Sequence, residues 1–194
     1  KIENSINKNT KAIIGVHFAG LPVDMKKLMK IVNRYKIKLI EDCAHAIETK
    51  YNSQHTGTFG SFGCFSFYPN KNITTGEGGM ILTKNKSLLK KINPLVLHGL
   101  NKDAWKRFSV TKNINYDVSY PGYKFNMTDI QASIGIHQLL NIYKKHRIRK
   151  KIWNIYLKEL QNLPIILPID ADKKSQHGYH LFPIVIPKKN KINR

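Results

Sequence analysis

A strand, a helix and a second strand follow one another between residues 11 and 42, and this succession leaves few folds open. Residues 11–16 (Lys-Ala-Ile-Ile-Gly-Val) read as a short buried strand. Pro22, Val23 and Asp24 make a helix start, and Met25, Leu28, Met29, Ile31 and Val32 recur at roughly helical spacing up to Tyr35. Lys38, Leu39 and Ile40 form a second strand that closes at Glu41 and Asp42. Two strands joined by a helical crossover pair in parallel, because a tight hairpin can only join antiparallel neighbours. The fold class that follows is α/β with a mostly parallel sheet.

The rest of the chain extends that pattern. Residues 44–48 read as a short helix, and residues 51–60 are turn-rich, with Asn52, Ser53, Gly57 and Gly60. Residues 63–68 read as a third strand, 69–79 as a loop rich in glycine and threonine, 80–83 as a fourth strand and 86–93 as a short basic helix. Residues 98–123 have no clear period and read as a long loop, a length that points to function or to an interface. Thr128 can cap a helix whose inner face is Ile130, Ile134, His137 and Leu139. A second helix follows over residues 141–160, its many lysines and arginines a solvated face. Residues 177–186 read as a strand of a smaller C-terminal domain. The division expected is 1–140 as part of a large domain, and 141–194 as a connecting helix with the start of a small α+β domain.

Charge narrows the partners less than its size implies. Thirty-three Lys and Arg against 12 Asp and Glu give +21, a field that attracts polyanions. A nucleic-acid reader clusters arginines and stackable aromatics on one face. Here the cations are mostly lysines scattered among Ile and Asn, as AT-rich codons produce. A specific nucleic-acid role is therefore not expected, although a basic nucleic-acid-binding protein stays an alternative. No apolar run is long enough to span a membrane. Two cysteines without metal-ligand spacing fit a reducing, cytoplasmic setting better than a disulfide scaffold, and no metal site is expected. The start at Lys1 points to a chain that begins within a longer protein.

Two residues carry candidate chemistry. Asp42 ends a buried strand at the edge where parallel sheets place ligands, and it can equally cap the segment from Ala44. Lys71 follows an aromatic strand and Pro69, and precedes a run of glycines that lets backbone approach a ligand. It also fits an ordinary turn lysine. A lysine set against apolar surroundings is a nucleophile for carbonyls. The glycine-rich tail lacks the order of a phosphate loop, while the Ser66 hydroxyl can donate to a phosphate. A lysine and an aspartate from neighbouring strands are what a pyridoxal cofactor needs, one for the Schiff base and one for the pyridine nitrogen.

Four segments, in order, then make the chain recognisable. They are residues 16–25 (Val-His-Phe-Ala-Gly-Leu-Pro-Val-Asp-Met), 41–46 (Glu-Asp-Cys-Ala-His-Ala), 60–79 (running through Phe-Ser-Phe-Tyr-Pro-Asn-Lys-Asn-Ile-Thr-Thr-Gly-Glu-Gly-Gly) and 121–132 (Pro-Gly-Tyr-Lys-Phe-Asn-Met-Thr-Asp-Ile-Gln-Ala). Together they resemble the DegT/StrS family of nucleotide-sugar aminotransferases over residues 11–140, with a looser match at residues 179–182 (Tyr-His-Leu-Phe).

The resemblance implies a fold-type-I PLP-dependent transferase large domain and pyridoxal 5'-phosphate as cofactor. Lys71 becomes the catalytic Schiff-base lysine. Asp42 meets the pyridine nitrogen, His45 lies near the ring and its phenolic oxygen, and Ser66 binds the cofactor phosphate. Asn126 becomes a further cofactor residue, and Lys124 and His98 become substrate residues. The segment with Lys124 and Asn126 is implied to reach the partner subunit's site in a homodimer. Some members of that family are dehydratases with a histidine in place of the lysine, so Lys71 points to transamination from an amino acid, with glutamate expected, to a nucleotide-linked keto-sugar. Residues 98–107 resemble members acting on UDP-linked 4-keto-sugars, and fit a dimer-interface loop equally well. Family members are longer at both ends, and the expected missing part holds the loop that cradles the phosphate and the aromatic that stacks on the ring. An inactive truncated remnant is the alternative to an active enzyme.

Overall fold

The computed structural model describes residues 1–100 and 118–187. Its centre is a four-stranded sheet in the order β1 (Ala12–Val16), β2 (Lys38–Asp42), β5 (Phe62–Ser66), β6 (Gly79–Leu82). The first three strands are parallel and β6 runs antiparallel. A small hairpin of β3 (Lys50–Tyr51) and β4 (Gln54–His55) occupies the turn-rich stretch between β2 and β5.

Helix α1 (Met25–Arg34) joins β1 to β2, as the strand–helix–strand reading requires. Asp24 caps it by accepting from the Lys27 amide. Met25, Leu28 and Val32 fall on one stripe and bury against Leu39 of β2. That leaves the other face of edge strand β1 open, with Ile14 65% exposed. Helices α2 (Lys86–Val96), α3 (Asp129–Leu140) and α4 (Ile142–Leu160) follow. On α4 the residues Ile142, His146 and Trp153 form a buried stripe at i, i+4 and i+11. Trp153 packs on His177, Tyr179 and Phe182, and the His146 ring donates to the His177 carbonyl.

Three expectations are corrected. Residues 44–48 are successive tight turns, not a helix: the Ala46 amide bonds the Cys43 carbonyl, and the Thr56 hydroxyl takes the Ala46 carbonyl that a helix would have used. The apolar face expected on α3 is exposed, with Ile130 at 76%. The helix is instead held by its polar side, where Gln131 donates to the Glu77 carbonyl and Gln138 to the Thr74 carbonyl. Residues 177–186 make no regular strand; Val185 alone bridges to Ile166, while Gly178 and His180 bond the backbone of Gly20 and Ala19. Of the long loop, residues 101–117 lie outside the described residues. The parts that flank it pair, Leu100 with Val118 and Leu97 with Lys124.

Candidate active site

Parallel register brings three loops to one edge of the sheet. Val16 is the partner of Asp42 across β1–β2, and Asp42 is the partner of Cys64 across β2–β5. The chain therefore leaves these strands on one side, delivering residues 17–20, 42–45 and 66–71 together.

Asp42 projects from the end of β2. One of its oxygens accepts from the Ala44 amide at 3.0 Å, so the capping interaction expected of Asp42 is present, but it closes a turn and no helix follows. That bond leaves the other oxygen without a partner among the described residues. His45 lies next along this turn. Its Nδ1 accepts from the Ala19 amide at 3.2 Å, so in the neutral ring Nε2 carries the hydrogen and faces outward as a donor. Burial, followed by the positive charge of Lys71, lowers the His45 pKa, while Asp42 opposes. The ring stays neutral and its tautomer is fixed by the Ala19 backbone.

Lys71 ends a turn in which its amide bonds the Tyr68 carbonyl at 3.0 Å. Its ammonium has no partner among the described residues. Ser66 accepts from the Tyr68 amide, which leaves its hydroxyl hydrogen uncommitted. The next residue, Asn72, ties the loop to distant chain: it donates to Glu48 and to the Gly178 carbonyl, and accepts from His180. Glu48, fully buried, is paired with Arg149 of α4. His180 packs against His45 with centroids 4.3 Å apart. Ala19 and Tyr179, joined to this cluster through backbone, both hold left-handed φ angles of 58° and 50°, and strain of this kind in non-glycine residues gathers at functional sites.

Beneath the edge lies a buried dyad. His17 Nδ1 accepts from the Val23 amide, so its Nε2–H donates to Glu41 at 3.2 Å. Glu41 also takes the amides of Gly57, Phe59 and Gly60, each at 2.7 Å. Burial works to raise its pKa, but the His17 donor and the three amides outweigh it and hold the carboxyl below its ordinary range. His17, Glu41 and Cys43 place potential ligand atoms within 4.8 Å of one another. The histidine and carboxylate valences are already spent on these hydrogen bonds, and burial pushes the Cys43 thiol up and keeps it protonated. The cluster is therefore built as a structural lock.

The structure brings Asp42, His45, Ser66 and Lys71 to one edge and sets the remaining candidates elsewhere. His98 and Lys124 lie on paired segments, the His98 amide bonding the Tyr123 carbonyl. Lys124 and Asn126 line a separate, largely apolar cleft of about 700 Å³ between β5–β6 and α2. The Asn126 side-chain oxygen is buried there without a partner among the described residues. Sequence reasoning missed Asn72, Glu48, Arg149 and Glu41 as organisers of the site, and touched His180 only within a loose match. Their partners lie 16 to 108 residues away, which no local pattern reveals.

Over residues 1–194 the chain matches the sequence profile described as the DegT/DnrJ/EryC1/StrS aminotransferase family. It is 47% identical over 195 residues to an uncharacterized protein, MJ1066, of Methanocaldococcus jannaschii, covering 100% of this chain and 50% of that one. It is 36% identical over 189 residues to the spore coat polysaccharide biosynthesis protein SpsC of Bacillus subtilis, covering 97% and 49%. Among solved structures it is similar to the putative sugar aminotransferase Spr1654 from Streptococcus pneumoniae. The PMP form aligns with a TM-score of 0.83 at 31% identity, covering 93% of this chain and 49% of that one. The chain thus spans about half the length of the curated relatives it matches.

Proposed function

The chain belongs to the DegT/DnrJ/EryC1/StrS aminotransferase family, and from that premise we propose that it is the lysine-bearing part of a PLP-dependent sugar aminotransferase. The reaction moves an amino group from an amino acid, glutamate in our reading, to a nucleotide-linked keto-sugar of the UDP-4-keto class, for glycan or lipid synthesis. The observation that carries this is the meeting of Lys71, Asp42 and His45 at one sheet edge with complementary open valences.

The residues fit the cofactor. The open oxygen of Asp42 would accept from the pyridine nitrogen, because its other oxygen is taken by the Ala44 amide. His45, whose Nδ1 accepts from the Ala19 amide, would offer its Nε2–H to the phenolic oxygen. The Ser66 hydroxyl, whose oxygen accepts from the Tyr68 amide, would donate to the phosphate. Lys71 holds the group and moves the substrate proton as base and then acid. Bound there, PLP supplies an electron sink for the carbanion formed at the substrate carbon. Asp42 would set a negative charge against the ring nitrogen, and neutral His45 would donate without adding a charge.

In the same proposal the enzyme is a homodimer with shared sites, in which Asn126 completes the partner's cofactor pocket and Lys124 and His98 meet substrate. The support is that these residues stand apart from Lys71. They are also flanked by exposed apolar side chains, such as Phe125 at 71%, beside which a second protomer can close. No helix among the described residues is long and apolar enough to cross a membrane.

Reduction with borohydride in the presence of PLP, read by peptide mass spectrometry, tests this reading. A stoichiometric adduct on Lys71 that vanishes in Lys71→Ala is expected. Labelling scattered over many lysines and unchanged in the variant refutes it.

A further inference from the structure

The cations in the first half of α4 do not all face solvent. Lys144, Arg147, Lys150 and Lys151 are exposed, as the reading of a solvated face requires, whereas Lys145 and Arg149 are half-buried. These two lie four residues apart, one turn along the helix, and so share a face.

Each of them ends on the chain that follows Lys71, through one intermediate side chain. The Lys145 ammonium donates to Gln138 Oε1 of α3 at 3.3 Å. The Gln138 amide brackets Thr74: its Nε2 donates to the Thr74 carbonyl at 2.6 Å, and its Oε1 accepts from the Thr74 amide at 3.3 Å. The Thr74 backbone thus fixes which way the glutamine amide faces, and the ammonium meets an oxygen. The Arg149 guanidinium donates to Glu48 Oε1, and Glu48 Oε2 accepts from Asn72 Nδ2 at 2.8 Å. Glu48 is 2% exposed, and its carbonyl accepts from Gln176 Nε2 at 2.6 Å, which ties it to the C-terminal segment as well. Arg149 and the Asn72 NH2 only donate, so a carboxylate serves both at once where an amide would serve one.

We propose that Lys145 and Arg149 are positioning residues for Lys71: from one face of α4 they hold residues 72 and 74 of its loop, Arg149 through Glu48 and Lys145 through Gln138. This deepens the reading of Lys71 as the cofactor lysine and rests on it. Lys71 adjoins the first anchor and lies three residues before the second, and its own amide bonds the Tyr68 carbonyl. The root of its side chain is therefore set from α4, while Asp42 is set by the sheet. Hydrogen bonds to ionised groups are stronger than neutral ones, so two cations on one helix face give the loop a firm seat.

The seat is removed without stranding a charge by Lys145→Met, combined with Arg149→Leu and Glu48→Gln. Lys145→Arg with Arg149→Lys is the conservative counterpart, which keeps a charged donor at each position. Amide hydrogen–deuterium exchange of the cofactor-free chain, read by peptide mass spectrometry, compares residues 67–75 with β2, whose ladder bonds do not involve α4. In the triple variant, exchange over 67–75 should rise about tenfold, the scale of one lost hydrogen bond, with β2 unchanged. PLP titration, followed by the visible absorbance band and by borohydride trapping on Lys71, should show the apparent Kd rising by a similar factor. Each cation makes a single bond here and not a forked one, so the conservative pair should recover wild-type behaviour in both assays. Exchange over 67–75 that is unchanged, or that rises equally in β2, overturns the proposal. So does an unchanged PLP affinity, or a conservative pair as impaired as the triple variant. Wild-type protein that forms no Lys71 adduct overturns the cofactor role of Lys71, and the exchange series then decides the tether from α4 by itself.

Discussion

Glu41→Gln replaces one carboxylate oxygen by an amide NH2 at a site that holds four donors and 0% exposure. Oε1 accepts from the Phe59 and Gly60 amides, and Oε2 from the Gly57 amide and His17 Nε2–H. Whichever way the glutamine amide turns, its NH2 faces two donors that then lose their acceptor. Tautomer exchange in His17 cannot rescue the pair, because it would take the acceptor from the Val23 amide. Each orphaned buried donor costs about 1–3 kcal/mol, so the variant should lose roughly 4 kcal/mol. Urea unfolding at pH 7 reads this as a lower midpoint at unchanged slope. The difference also has a pH signature. The folded pKa of Glu41 lies below its unfolded value, so the advantage of the carboxylate is complete above about 4.5 and is lost as pH falls through the folded value. A loss under about 1 kcal/mol at pH 7, or a difference that grows on acidification, refutes the account of Glu41 as the anchor of the Gly57–Gly60 turn.

Three further outcomes follow from the same geometry. Gly63→Ala drives a methyl into the Gly57 backbone, which the Glu41 bonds hold in place, and should cost about 1–3 kcal/mol in the urea midpoint; an unchanged midpoint shows that the turn can retreat. His177 is 1% exposed with its pKa lowered by burial to about 4, so the unfolded chain binds the extra proton and stability falls as pH drops from about 6.5 to 4. His177→Asn, which keeps an acceptor for the Tyr179 amide, should remove about 1–2 kcal/mol of that slope after solvent screening, and an unchanged slope assigns it elsewhere. Arg149→Leu strands the Glu48 carboxylate with Asn72 as its remaining side-chain donor and should cost about 3–5 kcal/mol; adding Glu48→Gln should recover part, and a single-variant loss under about 1 kcal/mol counts against the pair.

What was legible in the sequence is what local periodicity encodes. The stripe Met25, Leu28, Val32 and the cap Asp24 specify α1, and the short apolar runs specify β1, β2 and β5 close to their observed bounds. Asp42 stood out because it ends β2, and Lys71 because it lies in the loop that follows β5; parallel register puts those two strand ends on one edge. Residues 44–48 misled because a helix start and an Asx turn share their first hydrogen bond; the chain then diverges, since Thr56 competes for the Ala46 carbonyl. α3 misled differently. It is apolar around most of its circumference, with Ile136 and Leu140 exposed as well as Ile130, so its pattern named no single inner face.

The two groups on which the proposed chemistry depends are placed by different parts of the chain. Asp42 is set by backbone, through β-ladder register and one turn bond, and needs nothing beyond β1, β2 and β5. Lys71 lies five residues beyond the end of β5, out of reach of the ladder. Its loop is fixed by side chains: Asn72 to Glu48 and Gly178, and Thr74 to Gln138 of α3. Those anchors depend in turn on Arg149 and on the packing of Trp153 against His177 and Tyr179. The sheet therefore makes the acidic half of the site, and α3, α4 and residues 176–180 make the basic half. A change that loosens the C-terminal segment should release Lys71 while leaving Asp42 in register, so the lysine's chemistry is the more sensitive report on whether the whole chain has assembled.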